Sequence, residues 1–458
     1  MRTPITLDPI WNENPAAALA EIERLLDETG ELWSGTGYFR ALEQVPRNIG
    51  KLTNGYVGLY PTRVADLSGL AEAPAIRTVH AGPAVSDIAV LPALPNLETF
   101  DAWQSPIRDL RPLAHHGRLK ELKLNVAAIE DLSPLGTLPA LETLILYDYR
   151  GQALPPLPSL RLLHLNMAAA VPRERGIDLS PLGLSRHLRT LIADGPVTRL
   201  PALPELRTLY IDGSLLDDLT PVGQYRALEQ LSLRHPRAGN LGPLAACERL
   251  ERIDVRGAPI RDIRPLARLK HLHDIAISGT MVEDIVPLSH LPRAREGITA
   301  LTLDASDTPV SSLRGWNTAC PLWRLNLSGT RVTDISPLAG SAMLTRLYLR
   351  GSPIADLTGL AGLAALICLD ITGTQVSGLD EVLRNPSLLF GVPSSQDPRD
   401  GGWFHFSDTP VARSSPELAA IAAMSDTQAA LLAHFGLREP MAPVPRPRQG
   451  WWRRVFGR

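Results

Sequence analysis

The stretch LWRLNLSGTRVTDISPLAG (322–340) returns in near copy as LTRLYLRGSPIADLTGLAG (344–362), LERIDVRGAPIRDIRPLAR (250–268), LHDIAISGTMVEDIVPLSH (272–290) and LKELKLNVAAIEDLSPLGT (119–137). The shared pattern is L-x-x-L-x-L-x-x-x-x-[IV]-x-D-[IL]-x-P-L. Fifteen unit starts fit it, at 54, 76, 97, 119, 141, 160, 188, 206, 228, 250, 272, 298, 322, 344 and 366, and eight of the fourteen intervals are 22 residues. A unit this short cannot bury its own leucines, so each must lean on its neighbours and stability is shared along the array. Leucines at places one, four and six turn inward, and the short strand between them pairs in parallel with its neighbours ~4.8 Å away. Fourteen such steps predict an α/β solenoid with a curved wall about 65 Å long.

In its period and pattern the chain resembles the bacterial leucine-rich repeat proteins with short units, internalins among them, over about residues 54 to 388. The resemblance implies a right-handed superhelix, with a parallel sheet on the concave side and short helical or 3-10 turns on the convex side.

Place thirteen is aspartate in the units holding Asp66, Asp109, Asp131, Asp262, Asp284, Asp334 and Asp356. A carboxylate there can accept backbone N–H groups from the turn that follows, in whose first residues proline is tolerated because its missing N–H would be unpaired anyway. Repetition at the same place of seven units makes it a bracket rather than a calcium ladder, which would need several oxygens converging on each ion. Place nine is mostly Thr, Ser or Ala (Thr280, Thr330, Thr374, Ser214, Ser352, Ala258), and a hydroxyl there can bond to the turn backbone.

Both ends of a stacked sheet need covering. Residues 1–53 are expected to form the N-terminal cap, with a helix over 14–30 that starts at Asn14 and Pro15 and stops at Gly30, beside an aromatic stretch at Trp33, Tyr38 and Phe39. The repeat occupies 54–388. A C-terminal cap over 389–437 is expected to carry a sixteenth strand, FHFSDTPV (404–411), and two short helices whose capping boxes begin at Ser414 and Ser425. Two insertions, 168–176 and 289–297, leave the regular spacing. Residues 438–458 are Pro-rich, and from Pro440 to Arg458 they hold five arginines and no acid. For this tail three readings stand: a disordered segment, one docked on the solenoid, and an interfacial anchor placing Trp451, Trp452 and Phe456 among lipid headgroups with Arg453 and Arg454 beside them.

The positions that build no core are places three, five, seven and eight. From the unit at 97 to that at 206 they include Trp103, Lys123, Tyr147, His164 and Tyr210; from 228 to 344 they include Arg234, His235, Arg252, Asp254, Arg256, Arg324, Arg346, Tyr348 and Arg350. The first half is aromatic and the second arginine-rich, and both residue types are enriched at interface hot spots. The face is therefore expected to bind a protein, with acidic patches of that partner meeting the second half. Arg324 and Asn326 are among the positions left free by the repeat.

A formal charge of −2 with 44% hydrophobic residues gives no reason to expect nucleic acid as partner. The N-terminal stretch lacks a basic segment followed by an apolar run, so a cytoplasmic monomer is expected, with signal-less export as a host-directed effector the chief alternative. Cys247, Cys320 and Cys368 are too scattered for zinc and suit free thiols. No phosphate-binding glycine loop, zinc-protease motif or nucleophile elbow occurs, so neither cofactor, metal nor catalysis is expected, an enzyme with an unrecognised site on the concave face being the lesser alternative.

Overall fold

The computed structural model describes residues 13–31, 39–114, 116–168, 176–292, 300–390, 403–424 and 426–437. Trp33 and Tyr38, the interiors of both insertions, Ser425 and the tail with Trp451, Trp452, Arg453, Arg454 and Phe456 lie outside them. The chain divides into two compact units, Met1–Gly213 and Ser214–Arg458, a boundary inside the repeat array.

In the first unit the helix Pro15–Thr29 is capped by Asn14, whose Oδ1 accepts from the Ala16 and Ala17 amides at 3.0 and 3.1 Å, and it buries Ala18, Ile22 and Leu26. Eight parallel strands follow in one sheet, from Tyr56–Gly58 to Thr208–Asp212, the longest being Thr143–Tyr149. A separate pair, Ile177–Asp178 with Val197–Arg199, lies on the connecting side.

The second unit contributes eight more parallel strands, from Gln230–Arg234 to Trp403–His405. Its repeats close regularly. In the unit at 322, Leu322, Leu325, Leu327, Val332, Ile335 and Leu338 are all buried, so six side chains of one repeat point into the core. The strand Leu301–Asp304 pairs Thr302 with Arg324 and Asp304 with Asn326. That register starts its repeat at Ala300, with Ala300, Leu303 and Ala305 inward, rather than at 298. The final strand sets Trp403 beside Cys368 and His405 beside Asp370.

The brackets are present on both sides of the boundary. Asp109, Asp131, Asp262, Asp334 and Asp356 each accept the backbone N–H two residues on, at 2.8–2.9 Å. At place nine the hydroxyls of Thr280, Thr308, Thr330, Thr374 and Thr409 donate to the place-six carbonyl at 2.6–2.7 Å.

In the second unit place eight is left-handed in every repeat: Gly257, Gly279, Gly329, Gly351 and Gly373, joined by His235, Asp307 and Asp408. Glycine suits this position because a Cβ there is strained. The conformation turns each place-eight N–H toward the place-seven carbonyl of the next repeat: seven bonds in succession, from His235 to Arg256 through to Gly373 to Ser407, span 2.7–2.9 Å. They extend the sheet's pairing past the strand ends.

Two helices end the described chain. The first, Pro416–Ala422, is capped by Ser415, which accepts from the Leu418 amide at 3.1 Å, while Ser414 donates to the Val411 carbonyl instead. The second, Thr427–His434, takes Asp426 as cap, and Gln428 donates to the Leu388 carbonyl. Both caps therefore sit one residue beyond the serines that the sequence suggests. The helices begin at Pro416 and Thr427, which makes Ser415 and Asp426 the residues placed to receive the first free amides.

Candidate functional site

Alternation along each strand decides which side chains leave the core. In Glu121–Asn125 the burial alternates strictly, with Leu122 and Leu124 inward and Glu121, Lys123 and Asn125 on the open face. Pairing then lines equal places of successive strands into rows.

In the first unit the place-five row runs Asp101, Lys123, Ile145, His164, Ile192, Tyr210. Lys123 is held there: its Nζ lies 2.9 Å from Glu121 and 3.5 Å from Asp101. Partial burial works against the charge, but these carboxylates overcome it and raise the Lys123 pKa. His164 reaches Asp194 at 3.4 Å. Tyr210 is half-buried on the same row.

The place-seven row is different. Trp103 is 39% exposed and Tyr60 41% exposed, and both touch a ring on the same face. Trp103 lies 6.0 Å from Tyr60 and 5.7 Å from Tyr147, ring centre to ring centre, with tilted planes. Three aromatic rings thus form one row over five repeats. Tyr60, absent from the sequence expectation, occupies place seven of the first repeat, so counting from residue 54 would have found it.

In the second unit the arginines fall into two kinds. Arg234 and Arg256 are clamped on Asp254: Arg256 donates at 2.9 and 2.6 Å, and Arg234 at 3.1 Å. Burial disfavours the Asp254 charge, yet the bonds from Arg256 and Arg234 prevail and hold its carboxyl below the ordinary range. These two guanidiniums face a carboxylate of their own chain, so that stretch of the arginine-rich half presents paired rather than bare charge. Arg324 and Arg346 are held differently, over rings: Arg324 lies 4.8 Å above Tyr348 and Arg346 5.0 Å above Trp323. Arg252 and Arg350 stand exposed at places three and seven.

Place five is also less free than the sequence suggests. Asp101, Asp254, Asp304, Asn326 and Asp370 each accept the place-seven amide at 2.9–3.3 Å. Asn326, expected to be unconstrained, is therefore a second bracket, closing the end of its strand. Beyond it, Tyr348, Trp403 and His405 extend the rings, at 5.5 and 4.6 Å. Trp323, Trp403 and His405 are not among the expected face residues, although the sixteenth strand that carries His405 is itself expected.

Among the described residues no cluster of three or more His, Cys, Asp or Glu side chains could hold a metal, and no helix is long and apolar enough to cross a membrane. No protein-family model matches the sequence, and no curated protein matches it. Solved structures do. A leucine-rich repeat protein of Leptospira interrogans is similar over 81% of this chain and 97% of its own, at 18% identity and a TM-score of 0.62. The functional domain of InlJ from Listeria monocytogenes aligns over 75% of this chain and 74% of its own, at 16% identity and a TM-score of 0.54. The fold is a leucine-rich repeat solenoid. The PEPR1-AtPEP1 structure shares it over 76% of this chain and 54% of its own, at 13% identity and a TM-score of 0.52. At these identities the likeness carries the leucine-rich repeat architecture and nothing about partners.

Proposed function

We propose that the chain is a noncatalytic scaffold that binds another protein on the open face of its sheet. The observation that carries this reading is the row Tyr60, Trp103 and Tyr147, in which the Trp103 ring touches the ring on either side, on a face where the intervening repeats present Gly82 and Asn125 at the same place. Aromatic rings gathered at a surface supply contact area at little entropic loss, and such residues dominate the energy of interfaces. A pair such as Trp103 and Tyr147 would form the centre of that contact, with Asp101 and Lys123 at its edge.

The experiment is affinity capture from lysate on the immobilised full chain, with Trp103→Ala and Tyr147→Ala combined. Capture of the principal bound protein is expected to weaken at least ~30-fold, the scale of a lost hot spot, with unfolding by circular dichroism unchanged. Undiminished capture by a folded double variant overturns the reading.

A further inference from the structure

Charge divides the open face as sharply as aromatic content does. At places three, five, seven and eight the second unit carries six arginines and six aspartates, so its formal charges balance. The same places of the first unit carry Asp101, Glu121, Asp148, Asp194 and Asp212 against a single Lys or Arg, which is Lys123. The aromatic half of the face is therefore the acidic half.

Pairing within the face does not cancel this excess. Lys123 lies 2.9 Å from Glu121 and 3.5 Å from Asp101, so one ammonium is shared by two carboxylates and a negative charge is left over. Asp148 follows Tyr147 in the chain, and its carboxylate accepts from the Asn125 side-chain amide at 2.6 Å. Asn125 is the direct sheet partner of Tyr147 and stands at place seven between Trp103 and Tyr147, which sets the Asp148 charge beside the aromatic row. That amide is neutral, and among the described residues no cation pairs with Asp148. Aromatic faces attract cations as well, tryptophan most strongly. Rings and carboxylates thus favour the same sign of charge in whatever they meet.

We infer that the row of Trp103 and Tyr147, with Asp148, Asp101 and Glu121 around it, takes a basic segment of a protein partner. This rests on the reading that the open face binds a protein, and it names the charge that the first unit selects. The aliphatic stems of the partner's arginines or lysines cover the rings, while their charged heads meet the exposed face of Trp103 and the carboxylates. The unbalanced negative charge also draws such a segment in before contact, an attraction that salt screens.

The test uses the full chain and short fluorescent peptides, read by anisotropy: one with arginines spaced among alanine and leucine, one with citrulline in their place, and one with glutamate. Citrulline keeps the shape of arginine without its charge, so the arginine peptide is expected to bind at least ~10-fold more tightly, and less so as salt rises. Trp103→Leu, which keeps an apolar side chain and removes the ring, should weaken it by ~10-fold. Asp148→Asn should weaken it by ~3-fold. Asparagine tolerates the left-handed backbone of that position, at φ 54°, so charge alone is lost. Lys123→Gln should act in the opposite direction and tighten binding by about 2-fold, which a merely structural role would not do. Asp274→Asn, the same change at place three of the second unit, should leave binding within about 1.5-fold, with the circular dichroism of every variant matching the parent. Equal binding of the arginine and citrulline peptides overturns the inference, as does preference for glutamate, no binding at all, or an Asp148→Asn effect no larger than that of Asp274→Asn. Any of these with Trp103-dependent capture intact sinks the charge selection alone; arginine selectivity with capture untouched by the Trp103 and Tyr147 variant sinks the aromatic anchor alone.

Discussion

The two units build the same repeat and finish it differently. In Ser214–Arg458 every repeat ends in a left-handed residue at place eight, and seven consecutive amides there pair with the next repeat. In Met1–Gly213, among described residues, only Asp148 and Gly213 hold that conformation at place eight. Several strands run longer instead, Thr143–Tyr149 and Leu162–Met167 among them. The faces differ in step with this. The first unit presents rings to solvent, whereas the second presents arginines held by aspartate or by rings. A regular strand end fixes where place seven points, which suits charged groups that need defined neighbours. The less regular ends leave room for bulky rings to lean together.

The comparison can be broken most forcefully in the core. Leu144→Ala and Leu325→Ala each empty a fully buried site, one per unit. Each is expected to lose about 3 kcal/mol in denaturant unfolding. A loss at Leu144 below half that at Leu325 would show that the first unit relaxes around a cavity as the second does not. Next comes binding: Trp103→Ala alone should cost about 2 kcal/mol of partner affinity by titration calorimetry, and Arg252→Ala under about 0.5 kcal/mol. Comparable losses would erase the functional distinction between the faces.

The strand ends come third. Gly329 sits at φ +67°, and a Cβ there would come within 2.2 Å of the Asp307 carboxylate. Gly329→Ala should therefore destabilise by about 1–2 kcal/mol, and the amide of residue 329 should lose hydrogen-exchange protection. Retained protection would mean that the place-eight ladder is incidental. Thr330→Val removes the 2.6 Å bond to the Leu327 carbonyl at constant volume. A loss of about 1 kcal/mol is expected by thermal unfolding.

The smallest effect is common to both units. The Arg111 side chain lowers the Asp109 pKa, and the Ser133 amide that of Asp131; Arg264 brings Asp262 down to about 2, and Thr358 lowers Asp356. A carboxylate depressed by folding contributes stability that is complete above its unfolded pKa of ~4 and is lost as pH falls through the folded value. The melting temperature should be flat from neutral pH to about 5 and fall between about 4 and 2. Asp262→Asn should flatten part of that fall in calorimetric scans.

The repeat was legible because its leucines recur in phase, and the Asp334 bracket because six relatives share it. The unit start at 300 was not. There the inward places are Ala300 and Ala305, while Leu301 and Leu303 imitate the pattern two residues early. Trp103 and Tyr147 could be read from register, but their contact with each other could not, since side chains two strands apart meet only through tilt. Asn326 looked free because its role is a bond to its own strand end, which leaves no mark on hydrophobic periodicity. Arg234 and Arg256 looked alike with Arg324 for a similar reason: what separates them is the neighbour each one lands on.

The three cysteines, Cys247, Cys320 and Cys368, form no disulfide, are all buried, and all belong to the second unit. Burial pushes the Cys247 thiol up to about 11, so at neutral pH it is protonated as well as shielded. An alkylating reagent can then modify this chain only when that unit opens, since the thiolate is the reactive form. The molecule carries its own one-sided clock: the rate of thiol labelling counts the openings of Ser214–Arg458 and is silent about Met1–Gly213.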